Sequence, residues 1–234
     1  LKGLLHIVNR LWLGVLLILI CSALLLRSSH PRASRGGKRP FQVAVMYVTS
    51  NLVMEQFVEA CREEFRERGY VDGDTVDFQL YNPQGDMMTA NTMVADILQR
   101  KPDIVLTAST PMLQVMAKGN DKGAVRHVFG LVVDPFTAIP GLDRAHPEKH
   151  PPWLGGYGTF QPVDQLFEMM RALRPTLKSV GTLRNPGEAC SVATFERAKA
   201  YCKKHGIKLI DLTVDNPNGV LEAVKALISK NVEC

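Results

Sequence analysis

Cysteine pairs of the kind that bind metal ions are absent from this 234-residue chain. The five cysteines are Cys21, Cys61, Cys190, Cys202 and Cys234, with no C-x-x-C motif and no metal-ligand spacing among them. His146 and His150 flank Glu148, but the prolines around them exclude the helix that would align two imidazoles. The sequence therefore predicts no metal site.

Catalytic signatures are also missing. The chain has no G-x-S-x-G elbow, no P-loop and no G-x-G-x-x-G motif after a strand. The glycine-rich segment "GGYGTF" at 155–160 lacks the spacing of a dinucleotide fingerprint, and we interpret it as a flexible crossing between two lobes. Cys190 lies near a predicted helix N-terminus, which favours a low thiol pKa, but it has no identifiable base partner. We therefore expect no catalytic residue, no cofactor and no enzymatic activity.

Acidic residues are absent from the first 40 positions, which hold seven of the 28 lysines and arginines. The rest of the chain carries 21 basic against 23 acidic groups, so the formal charge of +5 arises from the N-terminal segment. A nearly neutral body gives no reason to expect a nucleic-acid-binding surface. Hydrophobic and charged contents of 46% and 22% are those of an ordinary globular protein.

Residues 11–26 form an uncharged hydrophobic run. Its length lies between that of a signal-peptide core and the roughly 20 residues of a membrane-spanning helix. We predict that residues 1–27 are a signal peptide or a membrane anchor, and that the polar residues 28–40 are a flexible linker. More basic residues follow the run than precede it, which argues against export. The periplasm, or the extracytoplasmic face of the cytoplasmic membrane, is still the favoured location.

Predicted strands and helices alternate from residue 41 onward. The predicted strands are 41–48, 75–82, 103–109, 126–134, 179–185 and 207–214. The predicted helices are 52–69, 89–101, 110–119, 163–175, 191–206 and 220–231. This alternation is typical of an α/β fold with parallel sheets.

The second half of this pattern repeats the first. Gly69 and Gly206 each end a helix that is followed by a strand. An Asn-Pro turn then leads into the next helix, at Asn82 in the first half and at Asn216 in the second. The matching order of elements and turns indicates two related units.

We predict two Rossmann-like lobes joined by a hinge, with residues 41–155 as the N-terminal lobe and 156–234 as the C-terminal lobe. The first lobe has two further strands after its second helix, whereas the sequence given ends at the corresponding point of the second. The second lobe is therefore expected to be truncated here.

Polar residues follow several of the predicted strands. In open parallel sheets, ligands bind beyond the carboxyl ends of the strands, where helix N-termini offer N–H donors to carboxylates or phosphates. Singly, each of these residues is explained as a helix cap or a turn residue. Together, however, they all lie at the carboxyl edges of their sheets. If the two lobes face each other, these edges form one cleft between the lobes. The candidate ligand-binding residues are Thr49, Ser50, Ser109, Thr110, Asp134, Asn185, Glu188 and Ser191.

Four short motifs carry a resemblance to a known family. They are Gly69-Tyr70-x-x-Gly73, Thr110-Pro111, Asp134-Pro135 and Asn185-Pro186-x-Glu188-x-x-Ser191. Over roughly residues 41–232, the chain resembles the substrate-binding proteins of ABC importers. It is similar to the branch whose lobes are like type I periplasmic binding proteins and whose characterised members bind aromatic amino acids.

The resemblance implies a two-lobed clamp that closes on a small solute and presents it to a membrane permease with its ATPase. It implies that Ser109, Thr110, Asn185 and Ser191 face the ligand, and that apolar groups near Tyr47 pack on the ligand side chain. The family often has Asn where this chain has Cys190.

Two other functions remain open. The same clamp serves as the sensory ectodomain of a membrane-bound kinase or cyclase, and a second hydrophobic span in a longer chain would favour that function. A two-lobed Rossmann-like enzyme, such as a glycosyltransferase, is the other. A repressor with these lobes would need a helix-turn-helix before residue 41, where the hydrophobic run lies.

Overall fold

The computed structural model describes Trp12, residues 15–22 and residues 39–234. Residues 15–22, inside the hydrophobic run, are helical. Across these described ranges, no helix is both long and apolar enough to cross a membrane. The predicted signal peptide or anchor and the predicted linker lie mostly outside the described residues.

Strands and helices alternate along the chain from residue 41, as predicted. The strands are β1 (Phe41–Tyr47), β2 (Val76–Tyr81), β3 (Ile104–Ala108), β4 (His127–Val132), β5 (Leu154–Gly158), β6 (Ser179–Arg184) and β7 (Lys208–Thr213). The helices are α1 (Leu52–Glu67), α2 (Met87–Arg100), α3 (Thr110–Gly119), α4 (Pro135–Ala138), α5 (Val163–Leu173), α6 (Ala189–His205) and α7 (Val220–Ser229), the last preceded by a 3-10 turn at Pro217–Gly219.

The first five strands form one parallel sheet in the order β2-β1-β3-β4-β5. Strand β1 is buried on both faces, as expected for a strand covered by helices on each side. Val43 and Val45 belong to a core cluster that includes Val58 of α1. Ala44 and Met46 point into the opposite cluster, which contains residues of α2 and α3. The α/β fold with a doubly covered parallel sheet is therefore confirmed.

A second sheet follows, in which β6 and β7 pair in parallel. Its core contains Phe167 of α5, Val180 of β6 and Tyr201 of α6. The last residues of the chain run beside β6, where the backbone N–H of Gly181 donates to the carbonyl of Cys234 at 2.7 Å. The two lobes thus have separate sheets and separate cores.

The asparagine turns of the two lobes share one geometry. The side-chain oxygen of Asn82 accepts from the backbone N–H of Gln84 at 3.0 Å, and that of Asn216 accepts from Asn218 at 3.0 Å. Asparagine favours this local bond because its carbonyl oxygen reaches the backbone two residues ahead. The same asparagine hydrogen bond therefore occurs in the turns after β2 and after β7, as the sequence repeat predicts.

The glycine-rich segment differs from its prediction as a crossing between lobes. Leu154–Gly158 is strand β5, which pairs with β4 in the first sheet. The predicted boundary between residues 155 and 156 falls inside this strand, so the first sheet extends to Gly158 and residues 159–162 lead into α5. The strand was missed because glycine has a low strand propensity and no side chain to give an alternating pattern.

Candidate functional site

The residues after β1 and β2 form one polar cluster. The hydroxyl of Thr49 donates to Gln84 Oε1 at 3.2 Å. The hydroxyl of Ser50 accepts from Asn82 Nδ2 at 2.8 Å and from Gln84 Nε2 at 3.4 Å. Tyr47, at the end of β1, packs against the core cluster on the α1 side of the sheet. Thr49 and Ser50 thus share their hydrogen bonds with the neighbouring turn.

The residues after β3 differ from this cluster in the burial of their hydroxyls. Ser109 is the N-cap of α3 but its side chain makes no capping hydrogen bond. Ser109 Oγ and Thr110 Oγ1 are both buried and have no hydrogen-bond partner within the described part of the chain. Buried hydroxyls without partners lose hydration and gain nothing in return, at a cost of about 1–3 kcal/mol each. Two donors therefore stand unused at the N-terminus of a ten-residue helix.

The backbone of Ser109 is strained as well. Its φ of +96° lies in a region that residues other than glycine rarely adopt. Such conformations cost about 1–3 kcal/mol and cluster at ligand sites, where the surrounding structure enforces them. The backbone N–H of Ser109 donates to the carbonyl of Gly130 at 3.2 Å, which ties the residue to β4.

The residues after β4 form an ion pair. Asp134 is 4% exposed, caps α4 through the backbone N–H of Phe136, and accepts from Arg144 Nη2 at 2.5 Å. The guanidinium of Arg144 lies 5.0 Å from the centre of the Phe136 ring. Asp134 thereby fixes Arg144, which lies in the loop before β5.

The turn after β6 uses its polar atoms internally. Asn185 accepts from the backbone N–H of Gly187 at 2.9 Å and donates to Glu188 Oε1 at 3.1 Å. The hydroxyl of Ser191 accepts from the backbone N–H of Asn185 at 2.9 Å. These bonds hold the turn in one conformation. They also explain why "NPGEACS" has this spacing without any ligand.

Cys190 does not have the low pKa that its place near a helix N-terminus suggests. Burial raises the pKa of its thiol, and the carboxylate of Glu188 raises it further. The Cys190 sulfur lies 3.7 Å from Glu188 Oε2, close enough for this repulsion. The geometry therefore disfavours a thiolate here.

A cleft of about 950 Å³ lies between the two lobes. The first lobe contributes Gln114, Asp134, Thr137 and Arg144 to its lining. The second lobe contributes residues of α5, of α6 and of the turn after β6, among them Asp164, Pro186, Gly187, Val192 and Arg197. Its size is within the range of about 300–1,000 Å³ that is usual for small-molecule sites.

The structure brings together only part of the predicted site. Asp134 lines this inter-lobe cleft directly, next to the turn residues Pro186 and Gly187. Asn185, Glu188 and Ser191 line a smaller pocket of about 330 Å³ beside it, together with Asn216. The four remaining predicted residues lie along the carboxyl edges of β1 and β3, outside the lining of the large cleft: Thr49, Ser50, Ser109 and Thr110.

Sequence reasoning missed several cleft residues. Gln114 lies one turn into α3, where a helical pattern gives no sign of a ligand contact. Arg144 lies in the His- and Pro-rich segment before β5, where no motif in the sequence indicates a ligand contact. Asp164 of α5 and Arg197 of α6 form a bidentate ion pair at 2.6 and 2.9 Å on the second wall. Only the packing of distant segments brings these residues together.

Within residues 39–234 and the short N-terminal ranges described, no group of three or more His, Cys, Asp or Glu side chains could hold a metal ion. The site offers hydroxyls, amides and ion pairs, which bind polar organic groups.

Known proteins resemble this chain over most of its length. A tyrosine-binding protein of Clostridioides difficile (strain R20291) is 23% identical over 203 residues, which cover 87% of this chain and 57% of that relative. The crystal structure of an ABC domain in complex with L-Trp from Streptococcus pneumoniae is 25% identical, with a TM-score of 0.73. A conserved domain protein from Vibrio cholerae is 27% identical, with a TM-score of 0.72.

Each of these two structures is matched over 82% of this chain, and the chain covers 63% of each. The chain therefore spans less than two thirds of the length of these relatives. The model of one family, described as ABC transporter substrate binding protein, matches residues 42–233. Because that match extends over nearly the whole described fold, the chain belongs to the ABC transporter substrate binding protein family.

Proposed function

We propose that this protein is the extracytoplasmic solute-binding component of an ABC importer. It binds a small solute of the amino-acid class between its lobes and delivers it to a membrane permease with its ATPase. The observation that carries the proposal is the cleft of about 950 Å³ lined from both lobes. A clamp of this kind can change its shape around a guest because two rigid bodies meet along the opening.

The unused hydroxyls of Ser109 and Thr110 support a polar ligand group near α3. They lie at a helix N-terminus, where the backbone dipole favours negative charge. A carboxylate that accepts from these hydroxyls would satisfy both donors together. The strained backbone conformation of Ser109 would then keep these hydroxyls in position to bind the carboxylate.

The proposed ligand class also draws on two relatives. One is described as a tyrosine-binding protein and the other was solved with L-Trp. We extend the amino-acid class to this chain because the fold is shared with the second of them. The proposed site comprises Thr49, Ser50, Ser109 and Thr110 with Asp134 on the first lobe, and Asn185, Glu188 and Ser191 on the second.

The location follows from the same proposal. A solute receptor for an importer works outside the cytoplasmic membrane, in the periplasm or at the outer face of that membrane. Residues 1–27 would supply the export signal or the anchor that keeps the receptor near its permease.

A thermal-shift panel tests the proposal. The chain is heated with each of the 20 amino acids and with sugars as a control class. A ligand present at about 100 times its dissociation constant adds about 2.7 kcal/mol, which corresponds to a shift of several degrees. A shift confined to one or a few amino acids supports the proposal. No shift with any amino acid contradicts it.

A further inference from the structure

The two lobes carry opposite formal charges. Residues 39–158 hold 11 lysines and arginines against 15 acidic residues, which gives a charge of −4. Residues 159–234 hold 11 against 8, which gives a charge of +3. The nearly neutral body of the protein therefore consists of an acidic first lobe and a basic second lobe.

Many of the basic residues of the second lobe lie at one end of it, where α5 and α6 end and β6 and β7 begin. The guanidinium of Arg171 donates to His205 Nδ1 at 3.0 Å, which joins the ends of the two helices. The backbone N–H of Lys208 donates to the carbonyl of Lys178 at 2.8 Å, which joins the starts of the two strands. We call this surface the basic pole. It comprises six exposed side chains: Arg171, Arg174, Lys178, Lys203, Lys204 and Lys208.

The charge of the basic pole is not balanced by acidic side chains. Among the residues that the structure describes, none of the six forms an ion pair with a carboxylate. At the corresponding end of the first lobe, Arg66 pairs with Glu63 near the end of α1. Likewise, Arg100 pairs with Asp96 near the end of α2. The helix dipole favours basic last turns in both lobes, so it does not explain why these acidic partners are found only in the first.

Exposed apolar side chains adjoin the basic pole. Leu173, at the end of α5, is 77% exposed, and Met169, one turn earlier, is 56% exposed. The rings of Phe167 and Tyr201 are buried in the core of the lobe, so neither can stack on a nucleic-acid base. Basic side chains around exposed apolar ones are typical of surfaces that lie against anionic lipid.

We propose that the basic pole binds an anionic membrane surface, with its lysines and arginines at the lipid phosphates and Leu173 in the lipid interface. The pole lies at the amino ends of β6 and β7, whereas Asn185, Glu188 and Ser191 follow the carboxyl end of β6. The six residues of β6 separate these two ends by about 20 Å. Lipid contact at the pole therefore leaves the proposed solute contacts of this lobe uncovered, and it adds a second binding surface to the proposed function.

Acylation of lysine side chains, followed by mass spectrometry, tests the proposal on the whole chain. The vesicles contain phosphatidylcholine alone, or phosphatidylcholine with about 30% phosphatidylglycerol, at low ionic strength. With the anionic vesicles, we expect acylation of Lys203, Lys204 and Lys208 to slow about threefold or more, because lipid phosphates attract and cover these amines. Lys118 and Lys122 of the first lobe should keep their reactivity. Neutral vesicles should protect none of the five. Protection of all five lysines alike, or of none, would overturn the proposal.

Lys203→Gln combined with Lys204→Gln tests the charge of the pole. Because this double variant lacks two of the six cations, the protection of Lys208 by anionic vesicles should fall below about twofold. Retained protection of Lys208 would contradict the proposal.

Lys199→Gln combined with Lys225→Gln is the matched control. It removes the same number of charges from exposed lysines of the same lobe, but each of these lysines is paired with a glutamate. Protection of Lys208 should stay at the wild-type value. An equal loss in both double variants would show that only the net charge of the protein matters, and would overturn the basic pole as the binding surface.

A single-stranded oligonucleotide at the same phosphate concentration distinguishes a membrane from a soluble polyanion. It supplies phosphates without an apolar interface, so it should protect the pole less than the vesicles do. Leu173→Ser should lower protection by the vesicles about twofold or more, since it removes the apolar contact. Equal protection by the two probes, or no effect of Leu173→Ser, would overturn the membrane surface as the partner. The thermal-shift panel reports on solute binding separately, so an unprotected pole with an amino-acid shift leaves the proposed function intact.

Discussion

Single residues at the carboxyl edges of the strands differ in whether their hydrogen bonds are already made. Asn185 and Ser191 are occupied within their own turn. Ser109 and Thr110 are buried, and their hydroxyls have no hydrogen-bond partner among the residues that the structure describes. A ligand that accepts from the hydroxyls of Ser109 and Thr110 gains the full free energy of those hydrogen bonds. A ligand that contacts Asn185 or Ser191 must replace hydrogen bonds that these side chains already make within the turn. The first lobe therefore holds the stronger polar contacts of the proposed site.

Thr110→Val should stabilise the protein and weaken ligand binding. Valine has the same shape as threonine and removes a buried hydroxyl without a partner, so we expect the free energy of unfolding to rise by about 1 kcal/mol. The affinity for the amino acid that gives the largest thermal shift should fall about tenfold, since a hydrogen bond to a charged group is worth about 1.5–3 kcal/mol. Urea unfolding and calorimetry measure the two effects.

Thr92→Val is the control for this prediction. The Thr92 hydroxyl donates to the carbonyl of Met88 at 3.2 Å on an exposed face of α2. Its loss should change neither stability nor binding by much. If Thr110→Val lowers stability, the hydroxyl has a partner after all and is not available for a ligand.

His127 makes the first lobe sensitive to acid. It is fully buried at the start of β4, and its Nε2 lies 2.8 Å from the Thr107 hydroxyl while Nδ1 has no partner among the described residues. Burial lowers the pKa of His127 from 6.5 to about 4. The folded protein therefore keeps the ring neutral, whereas the unfolded chain takes up a proton below pH 6.5. The contribution of neutral His127 to the free energy of unfolding is fully present above pH 6.5 and is lost as the pH falls towards 4.

Through His127, the free energy of unfolding of the wild-type protein should fall by about 2 kcal/mol from pH 7 to pH 5. In His127→Gln, which cannot titrate, urea unfolding should show a correspondingly smaller difference between the two pH values. His150→Gln, a change at an exposed histidine, should retain the wild-type difference. Equal pH dependence in the wild-type protein and His127→Gln would refute the assignment.

At the scale of helices and strands, most of the fold could be predicted from local patterns. The bounds of α1 and α6 are close to those expected because an amphipathic period and terminal caps are local signals. Strand β5 was missed because its glycines give neither alternation nor strand propensity. The pairing of β5 with β4 is a long-range interaction that no local pattern records.

Gly206 illustrates how one residue ends an element. It caps α6 in the left-handed conformation, with φ of +67°, and an added Cβ would meet no atom within 4 Å. Gly206→Ala should therefore destabilise the second lobe by about 1 kcal/mol through backbone strain alone. Gly219→Ala, at φ of −79°, should be nearly neutral in the same urea titration. A neutral Gly206→Ala would show that the helix end can relax.

At the scale of the whole molecule, the two lobes are separate cores that meet along a cleft. Core residues of β1 and β6 belong to different clusters, and the lobes touch through α3, α4 and α6. The hydroxyl of Thr194 donates to Gln161 Oε1 at 3.0 Å, which links α6 to the segment between the lobes. Such an arrangement permits one lobe to move relative to the other.

Ligand binding should therefore protect both lobes together. With the ligand from the thermal-shift panel, hydrogen exchange should slow in the peptides that cover residues 109–119 and in those that cover residues 185–197. The reason is that a bound solute closes both walls of the cleft against opening. Peptides from α1 and α7, which lie outside the cleft lining, serve as internal controls. Protection confined to one lobe would contradict binding between the lobes.

The sequence by itself determined the order of strands and helices, the repeat of the asparagine turns and the polar character of the strand ends. These properties depend on neighbouring residues and on periods of two and 3.6, so they can be read along the chain. Only the tertiary structure decided that Asp134 pairs with Arg144, that the hydroxyls of Ser109 and Thr110 have no hydrogen-bond partner in the described part of the chain, and that glycines line a pocket. Those facts depend on the packing of distant segments, which sets the distances and the burial that local sequence does not encode.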